Sequence, residues 1–168
     1  ASDSLQKELG EPVYAPDGKS IYYTRNVSPG NTFEYAQDSN GSLFEIEKYT
    51  FDTGEVSTVV SGAGGATRPA PSPDGKKLAF VRRERNASKL YVKDLGTGEL
   101  SKLYDTLDLD LQETWAVNGL YPDMEWLPDS KSIVFWAGGK IRRVDMAGAS
   151  SVIPFRVNDT RVVIDPPQ

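Results

Sequence analysis

The 168 residues suffice for one domain with a sizeable core, or for a piece of a larger repeat protein. With 38% apolar, 26% charged and 10% aromatic residues the composition excludes disorder, and a net charge of −5 argues against a nucleic-acid groove, which needs clustered Lys and Arg. The chain has neither cysteine nor histidine, which excludes disulfides, thiolate metal sites, a Ser-His-Asp triad and any histidine-built metal centre from it.

Ala1-Ser2-Asp3-Ser4 has no basic or apolar signal region, so a secretory signal would lie upstream or have been removed. Ser2 to Gly10 carries the one helical pattern, with Leu5 and Leu9 four apart and Gly10 as a stop. From there a unit repeats. Val13-Tyr14 leads into the turn Pro16-Asp17-Gly18, followed by strands over Ser20 to Arg25, Leu43 to Phe51 and Glu55 to Val60. The second copy runs Arg68 to Pro71, the turn Pro73-Asp74-Gly75, Lys77 to Arg83, Lys89 to Asp94 and Glu99 to Tyr104. The third runs Met124 to Trp126, the turn Pro128-Asp129-Ser130, Ser132 to Trp136, Lys140 to Asp145 and Ser151 to Phe155. The Pro-Asp pairs are offset by 57 and 55 residues. Proline presets φ at the corner, Asp bonds the backbone two residues on, and Gly accepts positive φ, so these acids are structural turn residues. Period-2 alternation with Gly-centred links makes each unit a four-stranded antiparallel meander.

Such a sheet cannot bury both faces alone, so the units must stack. The fold class is all-β, a partial β-propeller of about three four-stranded blades. The units cover about 11–61, 68–104 with an insertion at 105–120, and 121–156; residues 157–168, with Asp159 to Asp165, read as the start of a further blade. Three blades do not close a ring, since propellers have ~4 to 8.

Asn26 to Ser42 reads as a polar, exposed hairpin loop. Asp105 to Leu120 alternates acid with leucine and is too apolar to hang in water, so Asp110, Gln112, Glu113 and Trp115 are the candidate interaction residues. Its acids Asp105, Asp108, Asp110 and Glu113 match no calcium-loop spacing. Gly62 to Thr67 lacks the Lys-Ser/Thr of a phosphate loop and reads as a flexible link between blades. Arg82-Arg83-Glu84-Arg85 reads as a solvated loop. Trp126 and Trp136 are expected as blade-to-blade filler. Glu11, Arg68 and Glu125, beside the innermost strands, are placed to line a central channel.

The recurrent Pro-Asp-Gly/Ser turn with its Leu78-Ala79-Phe80 and Leu90-Tyr91-Val92 strands resembles the TolB-like propeller repeat over nearly the whole chain. Leu109 to Ala116, Tyr121-Pro122, Trp126 to Ile141 and Ile153-Pro154-Phe155 are similar to the propeller that precedes the metal-dependent barrel of secreted bacterial amidohydrolases. That resemblance implies a non-catalytic scaffold or substrate gate. The catalytic metal ligands, histidines and an aspartate, would sit in a barrel outside this chain. No catalytic residue, cofactor or metal is therefore expected here, although a downstream domain would carry a metal. It further implies a periplasmic or secreted location. Expected partners are a hydrolase domain of the same parent chain or other proteins, and a second copy through the open blade edges, giving a dimer. Neither nucleic acid nor membrane is expected. The alternatives are a stand-alone TolB-like protein-binding scaffold, or the propeller of a prolyl-oligopeptidase-type serine peptidase.

Overall fold

The structure is a computed structural model and describes residues 9–28, 40–108 and 123–160. The described residues form twelve strands in three antiparallel meanders and no helix. Blade 1 comprises β1 (Leu9–Tyr14), β2 (Ser20–Asn26), β3 (Phe44–Thr50) and β4 (Val56–Val60). Blade 2 comprises β5 (Thr67–Pro71), β6 (Lys77–Glu84), β7 (Ala87–Asp94) and β8 (Leu100–Tyr104). Blade 3 comprises β9 (Met124–Trp126), β10 (Ser132–Ala137), β11 (Lys140–Asp145) and β12 (Ser150–Ile153). Together they make an all-β partial propeller. Leu9 and Gly10 belong to β1, so Gly10 ends no helix, because both pair with β2 as Leu9↔Arg25 and Gly10↔Thr24. The last strand stops at Ile153, and Pro154 to Thr160 is exposed and without strand. The rest of the expected further blade, residues 161–168, lies outside the described residues, as does most of the N-terminal helical pattern.

Blade 2 holds the stack together. Along β6, Leu78 and Phe80 join Ala15, Tyr22, Ile46, Val60 and Ala66 in the seam with blade 1. Ala79 and Val81 join Leu90, Val92, Met124, Trp126, Ile133 and Phe135 in the seam with blade 3. Both faces of this strand are covered, which is why its sequence reads as an unbroken apolar run. Each fully buried large side chain contributes about 1.5–3 kcal/mol.

Equivalent positions in the three copies show what a neighbour does. Tyr14, with no blade before it among the described residues, is 68% exposed, whereas Trp126, 112 residues on at the same place in the repeat, is 4% exposed and donates its indole N–H to the Ala70 carbonyl at 2.8 Å. Val81 is 2% exposed, but its equivalent Trp136 is 42% exposed. Trp126 is thus inter-blade filler and Trp136 is not: it stands on the outer face of blade 3, where the described chain supplies no further sheet.

Each Pro-Asp turn has the same bonds. The amides of Lys19, Lys76 and Lys131 donate to Oδ1 of Asp17, Asp74 and Asp129 at 3.0, 3.0 and 2.9 Å. Gly18 and Gly75 take φ of 68° and 69° behind Pro16 and Pro73, while behind Pro128 the same corner is Ser130 at 58°. The departure has a cause. Ser130 is buried, and its Oγ accepts the Asp74 amide N–H at 3.0 Å, joining two turns across a blade seam.

A second tie crosses the other seam. At bulges in β1 and β5, Glu11 and Arg68 hold equivalent left-handed conformations, φ 55° and 56°. The buried Glu11 carboxylate accepts the Arg68 amide N–H at 2.6 Å and the Thr24 hydroxyl at 2.8 Å, and meets Arg68 Nε at 3.1 Å in an ion contact without hydrogen-bond geometry. The bulge turns an acid inward to satisfy an amide of the next blade.

Two outcomes follow for these turns. Ser130→Ala keeps the left-handed corner and loses the hydroxyl, whereas Ser130→Gly loses the hydroxyl but relieves the corner; denaturant unfolding should find the alanine variant about 1 kcal/mol less stable than the glycine variant. The Ser72 hydroxyl and the Lys76 amide hold the Asp74 carboxyl below the usual aspartate range. A carboxyl depressed in the folded state contributes stability that is present above its unfolded value, about pH 3.9, and is lost as pH falls toward its folded value. Asp74→Asn should therefore flatten the acid limb of stability against pH measured by chemical denaturation.

Candidate functional site

Strand alternation sorts the connections between the two ends of the stack. The Pro-Asp turns and the third-to-fourth-strand turns, such as Thr53-Gly54 and Thr97-Gly98, lie at one end and are short. At the other end are the second-to-third-strand hairpins and the blade-to-blade links, including the described residues at the roots of both insertions. The Gly64 amide donating to Gly41 O and the Arg83 amide donating to Gly64 O, both at 3.1 Å, confirm that link and hairpins share this end. Pro16, Asp17, Gly18, Pro73, Asp74, Gly75, Pro128 and Asp129 are therefore far along the strands from the variable end. Asp110, Gln112, Glu113 and Trp115 lie outside the described residues. Of the other insertion acids, Asp108 Oδ1 accepts the Gly138 amide N–H at 2.8 Å and the Asp105 carbonyl accepts from Lys89 Nζ at 2.7 Å. No group of three or more acids is placed to hold a metal ion among the described residues.

Three sequence expectations change here. Of the run read as a solvated loop only Arg85 is loop: the strand expected over Lys77 to Arg83 continues to Glu84, because pairing of β6 with β7 runs out to Glu84↔Ala87 and leaves only Arg85 and Asn86 in the turn. The Gly62 to Thr67 link is packed: a Cβ on Gly64 would come within 2.0 Å of Arg83 O, and Gly65 and Ala66 are buried. At the root of the first insertion, Asn26 and Ser28 are buried, with the Ser28 amide and hydroxyl both donating to Asn26 Oδ1 at 3.0 and 2.7 Å.

Two clefts result. The first, of about 410 Å³, lies along the innermost strands β1, β5 and β9 and is walled by Glu11, Arg68, Asp123, Glu125, Trp126 and the prolines of those strands. It brings together the three charges the sequence placed there. The Glu11–Arg68 pair largely neutralises itself, so Asp123 and Glu125, both exposed, give this cleft its acidic character.

The second, of about 670 Å³, opens at the variable end beside the β6–β7 hairpin and is lined by Arg82, Arg83, Arg85, Lys89, Asn86 and Tyr91 among others. Arg82 lies over the stacked rings of Phe80 and Tyr91, its guanidinium carbon 5.4 and 5.9 Å from their centroids. Its Nε donates to Gly65 O at 3.0 Å and a terminal nitrogen to Ser61 O at 2.6 Å. Burial pulls its proton affinity below the usual arginine value, against the pull of nearby Glu84. Arg83 Nε braces the Arg85 carbonyl at 3.1 Å. Glu84 is occupied by the Tyr91 hydroxyl and by Lys102. Arg85 sits at φ 54°, a corner that hairpins of two residues usually give to glycine, as β10–β11 does with Gly138 and Gly139 at 62° and 66°. A left-handed arginine costs about 1–2 kcal/mol. Sequence reasoning missed this site; the available signal was an Arg-Asn pair standing where a turn calls for glycine.

No family model matches the chain. Over 130 residues it is 29% identical to dipeptidyl-peptidase 5 of Porphyromonas gingivalis, a match spanning 74% of this chain and 17% of that protein. The chain thus covers about a sixth of this curated relative. Among solved structures it is similar to TolB of Acinetobacter baumannii, with a TM-score of 0.65 and 22% identity over 89% of this chain and 33% of that one. It is also similar to the β-propeller domain of the trilobed protease of Pyrococcus furiosus, with a TM-score of 0.57 and 19% identity over 88% of this chain and 43% of that one. Three stacked four-stranded meanders, joined at equivalent positions by one turn and matching these folds, make the chain a segment of a TolB-like β-propeller.

Proposed function

We propose that this segment is the non-catalytic propeller part of a larger hydrolase of peptidase type, exported to the periplasm or beyond, where it positions or admits a peptide substrate for groups carried elsewhere. The observation that carries the reading is the relationship to a dipeptidyl-peptidase across three quarters of the chain, joined to a composition without histidine or cysteine. A Ser-His-Asp centre would then have to come from another part of the parent. An amidohydrolase parent rests on the resemblance of Leu109 to Ala116, Tyr121-Pro122, Trp126 to Ile141 and Ile153-Pro154-Phe155, and the peptidase reading has the longer match behind it. A stand-alone protein-binding scaffold is the second reading, favoured by the TolB-like fold at a TM-score of 0.65. Export to the periplasm rests on the same likeness. No cofactor is assigned to this segment.

The parent gene separates these readings. A peptidase parent encodes a downstream Gly-x-Ser-x-Gly elbow, and its product is labelled by a serine-directed fluorophosphonate while this segment alone is not. Paired histidines with chelator-sensitive activity would indicate the amidohydrolase instead, and a reading frame ending soon after Gln168 would leave only the scaffold.

The end faces make self-association part of the proposal. Leu9 and Tyr14 on blade 1 and Trp136 and Ile153 on blade 3 are exposed. The blade 1 face is the repeat equivalent of the faces with which blades 2 and 3 dock on their predecessors, and the blade 3 face is equivalent to the faces that receive them. Two copies joined head to tail would close a ring of six blades. Sedimentation of the isolated segment should show a concentration-dependent dimer, and a strict monomer at high concentration would contradict the closure.

A further inference from the structure

We infer that the cleft beside the β6–β7 hairpin is a binding site for an acidic peptide segment, its carboxylates taken by Arg82 and Arg85 and its backbone amide by Asn86. In a chain of net charge −5, cations here crowd one opening: Arg82, Arg83, Arg85 and Lys89. Among the described residues the bonds of Arg82 and Lys89 go to neutral carbonyl oxygens, and the Arg85 guanidinium makes none. The carboxylate within reach, Glu84, is already shared between Tyr91 and Lys102. Among the described residues, Arg82, Arg85 and Lys89 therefore stand at this mouth without an ion-pair partner of their own, and Glu84, which also lines it, is engaged elsewhere.

The cations are also prearranged. Arg82 is fixed in plane over two aromatic rings and by two carbonyls, with donors left over on its terminal nitrogens. Arg83 fastens the corner that carries Arg85. Placing an arginine at a corner better suited to glycine makes sense where its charge is needed at that spot. Guanidinium forks recognise carboxylates in a planar, two-bond geometry, and ordering them beforehand removes part of the entropic cost of binding. The volume, about 670 Å³, takes several residues rather than a single small anion. The exposed Asn86 amide offers the donor and acceptor that a peptide bond requires. This site needs no particular chemistry in the parent, so it stands or falls apart from the peptidase reading.

The test uses the whole segment and fluorescein-labelled hexaglutamate with an amidated end, followed by anisotropy. Binding should saturate, weaken as salt is raised, and fall about tenfold in Arg85→Gly, the loss of one charge-assisted contact. Because glycine suits that corner, Arg85→Gly should melt no lower than the parent sequence, which separates lost binding from lost folding. Lys89→Gln provides a second variant with a smaller loss. Failure of hexaglutamate to bind, equal binding of hexalysine, or affinity untouched by both substitutions would overturn the assignment. Displacement of the peptide by inorganic phosphate at matching concentration would overturn it too, replacing a peptide site with one for a small oxyanion.

Discussion

A four-stranded meander exposes two broad faces, and the burial of both faces of β6 is the constraint on which this molecule depends. Leu78 and Phe80 close one seam while Ala79 and Val81 close the other, so neither neighbouring blade can leave without uncovering blade 2. The innermost strands are thereby brought side by side along one cleft, and the hairpins are aligned at one end. The outer faces of blades 1 and 3 keep the pattern of seams without a described partner, and Tyr14 and Trp136 stand in solvent where their repeat equivalents are buried.

The two ends of the blades divide structural from variable duties. At the Pro-Asp end, Asx bonds and left-handed corners repeat with little change, and even Ser130 departs from glycine only to bond the Asp74 amide of the adjacent turn. At the other end the copies diverge. One hairpin spends two glycines, one carries a long insertion, and one puts Arg85 at a corner where an arginine is costly. The packed Gly64 holds that end together, since any side chain there would strike the Arg83 carbonyl. Variation confined to one end of a rigid repeat is the arrangement expected of a binding scaffold.

Local chemistry made much of the fold legible from sequence. The turn residues located every second strand to within a residue or so, because proline, aspartate and glycine each act on their own backbone. What depended on neighbours was less legible. Trp136 looked like core because its type suits core, but burial at that position needs a blade that follows. Arg82 to Arg85 looked solvated because a charge run usually is, whereas Arg82 lays its stem and guanidinium over two rings and bonds carbonyls that no sequence pattern displays. The Glu11–Arg68 tie joins residues one repeat apart, and comparing the copies position by position would have shown opposite charges at one site. The candidates Asp110, Gln112, Glu113 and Trp115 lie outside the described residues, while the basic hairpin cleft emerged from pairing that extended one residue beyond the sequence-based strand.

If stacking through blade 2 is what holds the segment together, local stability must be graded from the centre outward. Residue-resolved amide hydrogen exchange reads this directly. Leu78, Ala79, Phe80 and Val81 should exchange only through global unfolding, while Val56 to Thr58 of β4 and Ser150 to Ile153 of β12 exchange through local opening. Equal protection in all three sheets, or earlier opening of β6 than of the outer blades, would contradict this account.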